Sequence, residues 1–159
     1  MQVLLRMELK PKIKEKISYN RSMNKNQGVQ NENCIFCKIA KKEIPAEIIW
    51  ENEDFMAFLD IFPVVPGATV VITKKHYDSY IKNASREVTN TLMEAVKKVM
   101  EILDKKLEGN VQTKLIFEGM EVSHLHAKLW PMYSEIREKI PDKQATPEEL
   151  KEIANKIRS

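Results

Sequence analysis

The stretch His124-Leu-His-Ala-Lys-Leu-Trp130 contains two of the three histidines in this chain of 159 residues. Side chains on a strand alternate between its two faces, so this stretch predicts that His124, His126 and Lys128 share one face while apolar residues fill the other. Two imidazoles and an ammonium group are unusual side chains on one face of a sheet, but they suit the binding of a phosphate group or a metal ion. The stretch therefore predicts both a strand and a functional site.

The rest of the chain supplies the other elements of the predicted fold. Four further β-type runs, separated by turn residues, are 48–50, 55–59, 68–72 and 111–117. Apolar residues at helical spacing after Ser85 predict one long capped helix that ends at Gly109-Asn110. A short connection before the last strand predicts an antiparallel hairpin. The capping box Thr146-Pro-Glu-Glu149 predicts a C-terminal helix.

These elements together predict an α+β fold. Its core is a five-stranded, mostly antiparallel sheet with one long helix and a C-terminal helix. The chain is predicted to divide into a basic, flexible N-terminal extension over 1–33, a domain over 34–133 and a C-terminal helical extension over 134–159.

The basic residues are concentrated in the leading segment. Residues 1–33 hold seven Lys/Arg and three Asp/Glu, whereas residues 34–159 hold 19 and 20. A nearly neutral body gives no firm indication of a nucleic-acid-binding surface. No apolar run approaches the ~20 residues that span a bilayer, and the start does not resemble a signal peptide. The sequence therefore predicts no membrane partner and a cytoplasmic location.

Cys34 and Cys37 are the only cysteines. A gap of two residues allows both thiolates to bind one tetrahedral ion, yet the same spacing occurs in redox pairs and in ordinary cores. A redox pair favours a preceding strand, and no strand pattern precedes Cys34. A metal site needs two more ligands, which His76 and either His124 or His126 could supply. Because His76 follows two lysines, an exposed loop position is equally consistent with the sequence.

Several motifs occur in a fixed order between Cys34 and Pro131. They are Cys34-Ile-Phe-Cys-Lys-Ile39, Glu43-Ile-Pro-Ala46, Phe58-Leu-Asp-Ile-Phe-Pro63, Pro66-Gly67, Val71-Ile-Thr-Lys-Lys-His76 and His124-Leu-His126. As an ordered set they resemble the histidine triad (HIT) superfamily of nucleotide-binding proteins. The resemblance implies an α+β fold, a homodimer in which two five-stranded sheets join, and chemistry at the α-phosphate of a purine nucleotide or nucleotide conjugate.

The resemblance also implies roles for individual residues. The ligands of zinc-containing relatives correspond to Cys34, Cys37, His76 and His124, so it implies a structural zinc ion. The middle histidine, His126, then corresponds to the nucleophile that forms a nucleotidyl-histidine intermediate.

The nucleotide-binding positions of the family correspond to further residues of this chain. Asp60 takes the position that accepts hydrogen bonds from the ribose hydroxyls, and Ile61 lies beside it on the nucleotide wall. Asp60 is also suited to cap the turn before Pro63, and the two roles are compatible.

Two departures from the family pattern bear on turnover. Lys128 replaces the third histidine and offers a point charge instead of a neutral donor and acceptor. Glu121 replaces a serine that binds phosphate in relatives, and a carboxylate repels a phosphate unless a cation such as Lys128 pairs with it. Glu121 could also point into solvent.

Three functions follow from these residues. The first, which the retention of His126 favours, is a nucleotidyl hydrolase or transferase. The second, which Glu121 and Lys128 favour, is a nucleotide-binding protein with little or no turnover. The third is a zinc-stabilised dimeric interaction module whose histidines are structural.

Overall fold

The structure is a computed structural model that describes residues 28–133 and 146–158. Residues 1–27, which form most of the predicted N-terminal extension, and residues 134–145 lie outside the described residues. The segment 28–33 lies against the domain, because the backbone N–H of Gly28 donates to the carbonyl of His76 at 2.7 Å.

The described residues contain five strands, three α-helices and one short 3-10 turn. In chain order these are α1 (Ile35–Ala40), β1 (Ile48–Glu51), β2 (Phe55–Leu59), β3 (Thr69–Thr73), the 3-10 turn (Ile81–Asn83), α2 (Arg86–Lys106), β4 (Asn110–Phe117), β5 (His126–Tyr133) and α3 (Pro147–Arg158). The strands form one sheet in the order β1-β2-β3-β5-β4, and every neighbouring pair is antiparallel. The predicted α+β fold is confirmed.

The helix α2 covers one face of the sheet. Its predicted cap is confirmed, since the Ser85 hydroxyl oxygen accepts the backbone N–H of Val88 at 3.2 Å. Buried α2 side chains such as Leu92 and Val96 contact the strands through one apolar cluster. The helix ends at Lys106, earlier than predicted, because Leu107 already adopts an extended backbone conformation. None of the helices described here is long and apolar enough to cross a membrane.

The helix α1 covers the opposite face of the sheet. Phe36 and Ile39 of α1 contact a second apolar cluster that includes Met56, Val70 and Ile72. The sequence did not predict α1, because six residues are too few for a helical periodicity to be recognised. This short helix matters for function, since it brings Cys34 and Cys37 next to the last strand.

The strand β5 places two of its polar side chains on the α1 face. His126 lies opposite Ile72 and Lys128 lies opposite Val70 in the register with β3. The predicted start of this strand at His124 is wrong, because the ladder begins at His126. The backbone N–H of His124 donates to the carbonyl of Val122 at 2.8 Å, and this tight turn precedes the regular pairing.

The connection between β4 and β5 departs from the predicted short hairpin loop. The two strands are antiparallel as predicted, but residues 118–125 separate them. This longer loop carries Glu118 and Glu121, so its conformation decides which charges face the histidines.

Candidate metal centre and nucleotide site

Four buried side chains converge beside α1: Cys34, Cys37, His76 and His124. Cys34 is the residue before α1 and Cys37 lies three positions later, so helical geometry turns both sulfur atoms toward one side. His76 follows β3 and His124 precedes β5, and these two strands are neighbours. The fold therefore gathers the four residues that the sequence proposed as metal ligands.

The distances within this cluster fit a tetrahedral ion. The two histidine Nδ1 atoms lie 3.2 Å apart. The Nδ1 atom of His124 lies 3.4 Å from Cys34 Sγ and 3.6 Å from Cys37 Sγ, and the Nδ1 atom of His76 lies 3.4 Å from Cys37 Sγ. Zinc–ligand bonds of 2.0–2.3 Å at tetrahedral angles separate two nitrogens by about 3.3 Å and a nitrogen from a sulfur by about 3.6 Å. The cluster can therefore hold a metal ion as a closed Cys2His2 site.

The groups behind the ligands fix their orientation. The Nε2–H of His124 donates to the backbone carbonyl of Thr73 at 2.7 Å, which leaves Nδ1 to face the cluster. The Thr73 hydroxyl oxygen lies 3.2 Å from the same Nε2. The backbone N–H of Asn31 donates to Cys37 Sγ at 3.3 Å. Sequence reasoning missed Thr73, and its place at the end of the strand before His76 was the available signal.

Burial determines the protonation of the ligands. It lowers the pKa of His124 to about 4 and also lowers the pKa of His76, so both imidazoles are neutral near pH 7, as metal binding requires. Burial raises the pKa of the Cys34 thiol in the metal-free protein. A bound cation has the opposite effect and favours the thiolate.

His126 is buried next to this cluster and has a defined tautomer. Its Nδ1–H donates to the backbone carbonyl of His124 at 2.6 Å, so Nε2 carries the free electron pair. The ring of Phe36 contacts its edge at a centroid distance of 5.0 Å. Burial lowers the pKa of His126, which keeps the imidazole neutral. This arrangement can supply a neutral nitrogen nucleophile.

Lys128 forms ion pairs with two carboxylates. Its Nζ lies 2.9 Å from Glu118 Oε2 and 3.6 Å from Glu121 Oε2. The side chain of Glu121 is 74% exposed, whereas those of Glu118 and Lys128 are largely covered. Glu118 is therefore the main partner of Lys128, and the sequence proposed only Glu121. The register of the hairpin was the missed signal, because Ile116 lies opposite Lys128 and Glu118 follows two residues later on the same face.

The charges of Lys128 and of the acidic residues near it are coupled. Burial alone lowers the pKa of Lys128, but the hydrogen bond to Glu118 and the charges of Glu118, Glu121 and Asp60 raise it overall. Burial alone raises the pKa of Glu118, but the hydrogen bonds from Lys128 and from the loop backbone lower it overall. The charges of Lys128, Glu118 and Glu121 also act on the pKa of His126. Lys128, Glu118 and Glu121 therefore form one electrostatic unit with the buried imidazole, and Asp60 acts on it through Lys128.

Asp60 and Ile61 lie in the loop after β2. The carboxylate of Asp60 accepts the backbone N–H of Phe62 at 2.9 Å through Oδ1, so Asp60 caps the turn as its sequence context predicts. Its charge reaches Lys128, as the raised pKa of that lysine indicates. The side chain of Ile61 is 78% exposed on the surface of this loop.

The family model of the HIT domain matches residues 41–134, and the chain belongs to the HIT family. A HIT-like protein of Methanocaldococcus jannaschii is 36% identical over 128 residues, which cover 79% of this chain and 98% of that protein. Among solved structures, a Streptococcus mutans protein matches with a TM-score of 0.68 and 28% identity over 82% of this chain and 87% of that one. A HIT family hydrolase of Legionella pneumophila matches with a TM-score of 0.58 and 28% identity over 70% of this chain and 100% of that one.

Proposed function

We propose that this protein binds nucleotides and acts at the α-phosphate of a nucleoside phosphate conjugate through His126. The observation that carries the proposal is the 2.6 Å hydrogen bond from His126 Nδ1–H to the carbonyl of His124, which leaves Nε2 unprotonated. The family is one of nucleotide-binding proteins, and the structural neighbour from Legionella pneumophila is a HIT family hydrolase. Both support a reaction at a nucleotide.

The reaction proceeds in two displacements at phosphorus. His126 Nε2 attacks the α-phosphorus and forms a P–N bond, while the bond to the leaving group breaks and the leaving group takes the electron pair. The product of this step is a nucleotidyl-histidine. Water then attacks the same phosphorus and forms a P–O bond, while the P–N bond breaks and its electron pair returns to Nε2. A nucleoside monophosphate is released, and the proton that water gives up balances the one that the leaving group takes up. Burial favours the first displacement, since it keeps the attacking imidazole neutral.

We propose zinc as the metal of the Cys2His2 cluster, because two sulfur and two nitrogen donors in tetrahedral array suit this ion. When bound, zinc cross-links α1 to the segments that carry His76 and His124. This cross-link supports catalysis indirectly, since the carbonyl of His124 accepts the Nδ1–H of His126. The proposed role of the metal is structural, because four protein ligands leave no open position.

The nucleotide contacts are proposed from the loop after β2 and from the face of β5. Asp60 accepts hydrogen bonds from the ribose hydroxyls, since a carboxylate that caps a turn has further acceptor capacity. Ile61 contacts the purine base with its exposed side chain. Lys128 offers its positive charge to the phosphate, and Glu121 lies at the edge of this position.

A second function, nucleotide binding with little turnover, has one observation in its favour. Lys128 stands at the third triad position, and two carboxylates compensate its charge. Carboxylates next to the nucleophile oppose the approach of an anionic substrate. The third function, a zinc-stabilised dimeric interaction module, rests on the metal cluster alone.

A turnover assay separates these three functions. Wild-type protein and His126→Ala are incubated with an adenylate phosphoramidate or a dinucleoside polyphosphate, and release of AMP is measured. We expect AMP from the wild type and none from His126→Ala, while nucleotide raises the melting temperature of both. A melting shift without turnover in the wild type would favour the nucleotide-binding protein. Absence of any melting shift would favour the interaction module.

Elemental analysis tests the metal. Protein purified without added metal should contain about one zinc per chain, as one closed site requires. Chelation should lower the melting temperature, because loss of the cross-link destabilises the fold. Cys37→Ser should lose the metal. A small fraction of an equivalent, together with unchanged stability after chelation, would rule out a structural site.

A further inference from the structure

Three donors converge on the carboxylate of Glu118. Its Oε1 accepts the backbone N–H of Met120 at 2.5 Å and that of Glu121 at 3.3 Å. Its Oε2 lies 2.9 Å from the ammonium nitrogen of Lys128. Two successive backbone N–H groups and one ammonium group form an arrangement that binds anions, including phosphate oxygens. In this chain an internal carboxylate fills that arrangement.

The arrangement lies beside the nucleophile. Phe117 is opposite Ala127 in the β4–β5 register, so the next residue along, Glu118, is on the face that carries His126 and Lys128. The charges of Glu118 and Lys128 both act on the His126 imidazole, which agrees with this placement. An anion held by these donors is therefore an anion next to the proposed nucleophile.

The loop that carries the two N–H donors is held in place. The carbonyl of Gly119 accepts the Ser79 hydroxyl at 3.0 Å. The loop approaches Ser79 so closely that a Cβ atom on Gly119 would collide with the Ser79 side chain. The backbone donors are therefore positioned by contacts outside Glu118, and they remain available when another anion replaces its carboxylate.

We propose that the Glu118 carboxylate occupies the anion position of the ligand-free site, and that the phosphate of a bound nucleotide displaces it to reach Lys128 and the loop N–H groups. The inference rests on the proposed nucleotide-binding function. It makes Glu118 a specificity-determining residue that weakens phosphate binding and leaves binding of the nucleoside part unchanged. Glu121 contributes less, because it is farther from Lys128 and more exposed.

Calorimetric titration of the full chain with AMP and with adenosine tests this inference. The proteins are wild type, Glu118→Gln, Glu121→Gln and the surface control Glu101→Gln, whose residue lies on α2 in an exposed pair with Lys98. Loss of a charged competitor should make Glu118→Gln bind AMP about tenfold more tightly. We expect a smaller gain in Glu121→Gln, no change in Glu101→Gln, and the same affinity for adenosine in all four.

A double-mutant cycle shows whether the gain comes from the freed ammonium group. Lys128→Gln should weaken AMP binding, and Glu118→Gln should give a smaller gain in that background, because only the loop N–H groups are then freed. A second measurement needs no variant. The backbone amide NMR signals of Met120 and Glu121 in the wild type should shift on addition of AMP and not of adenosine.

Several results would contradict the displacement of Glu118 by phosphate, and they differ from those that would contradict the proposed function. Equal or weaker AMP binding by a folded Glu118→Gln, an equal gain for adenosine, or a gain that is undiminished without Lys128 would overturn the displacement of Glu118. Unmoved amide signals with bound AMP would do the same, even if Glu118→Gln does not fold. If the wild type binds neither AMP nor adenosine and nucleotides leave its melting temperature unchanged, the proposed function fails and the inference fails with it.

Discussion

Thr73 connects the end of β3 to the metal cluster through two of its atoms. Its carbonyl accepts the Nε2–H of His124, and its hydroxyl donates to the carbonyl of Lys75 at 2.7 Å while its oxygen lies 3.2 Å from the same Nε2. The hydroxyl therefore helps to set the direction in which the His124 ring points. Because the backbone of His124 also holds His126, Thr73 is a positioning residue for both histidines.

The substitution Thr73→Val should weaken metal retention. It keeps the side-chain shape but removes the hydroxyl, which should lower the free energy of unfolding of the metal-free protein by about 1 kcal/mol. Thr69→Val is the matched control, because Thr69 is also a buried threonine of β3 and its hydroxyl donates to the carbonyl of Gly67 at 2.9 Å. Competition with a chelator checks the prediction. Equal metal retention in the two variants would contradict the role of Thr73.

The ion pair between Glu118 and Lys128 predicts a pH dependence of stability. The pKa of Glu118 is lowered in the folded protein, so its stabilising contribution is complete above the unfolded glutamate pKa of about 4.3 and is lost as pH falls through the lower folded value. The free energy of unfolding of the wild type should therefore exceed that of Glu118→Gln at pH 7, and this difference should disappear in acid. Denaturant unfolding of both proteins from pH 7 to pH 3 measures this difference. A gap that does not change with pH would contradict the ion pair, since protonation of the metal ligands affects both proteins alike.

The residues of the site differ in how far the sequence predicts them. The Cys-x-x-Cys spacing and the alternation of His124, His126 and Lys128 are local patterns, and the fold brings the two cysteines, His76 and His124 together as the family resemblance implies. Thr73 and Glu118 have no local pattern of their own. Their contacts depend on the register of strands that are distant in sequence, so the structure was needed to find them.

The helix α1 is the element that connects the metal cluster to the nucleophile. Cys34 at the N-terminal cap of α1 and Cys37 within it face the cluster. Phe36 between them contacts the rings of His126, His124 and Phe58 at centroid distances of 5.0–5.8 Å. One short helix and its cap therefore supply two of the four candidate metal ligands and the aromatic ring that packs on the histidines. Its six residues do not form a stable helix alone, so its position depends on this packing.

The substitution Phe36→Ala should expose His126. Loss of a buried aromatic side chain should lower the free energy of unfolding by about 3–5 kcal/mol, and the vacated space should let reagents reach the imidazole. Phe55→Ala is the control, because Phe55 is as deeply buried but belongs to the cluster under α2. Denaturant unfolding gives the stability, and the rate of diethylpyrocarbonate modification at His126, located by mass spectrometry, gives the exposure. Faster modification in both variants would contradict a specific role for α1.

The helices and strands, like the site residues, were predicted where local sequence determines them and missed or misplaced where contacts with distant segments do. The long helix and the strand runs carry strong periodicity, and the sequence predicted them to within a few residues. The α1 helix and the start of β5 were missed or misplaced, because contacts with other segments set them. Leu125 shows this clearly, since its N–H donates to the carbonyl of Tyr77 and its carbonyl accepts from Thr73, outside the regular ladder.

Among the residues that the structure describes, β4 is an edge strand of the sheet. Within that part of the chain this eight-residue strand pairs on one side only, with β5, and the side chain of Val111 on it is 73% exposed. An open edge can pair with a second copy of the same strand, and two five-stranded sheets then join in a symmetric dimer. The proposed homodimer therefore has a specific candidate interface within the described residues.

The substitution Val111→Lys should convert a dimer into a monomer, because a buried charge at the joined edge opposes pairing. Ile48→Lys is the control, since Ile48 is an exposed apolar residue on β1 at the opposite edge of the sheet. Sedimentation equilibrium should give a dimer for the wild type and for Ile48→Lys. A monomeric wild type, or a dimeric Val111→Lys, would contradict pairing through β4.

The proposed function requires that His126 becomes covalently nucleotidylated during turnover. Intact-mass spectrometry tests it most directly, on protein mixed with an adenylate phosphoramidate and quenched before turnover is complete. We predict a mass increase of one adenylyl group per chain that fragmentation places on His126, that disappears as substrate is consumed, and that is absent from His126→Ala. Turnover without any adduct, or an adduct on another residue, would contradict nucleophilic catalysis by His126.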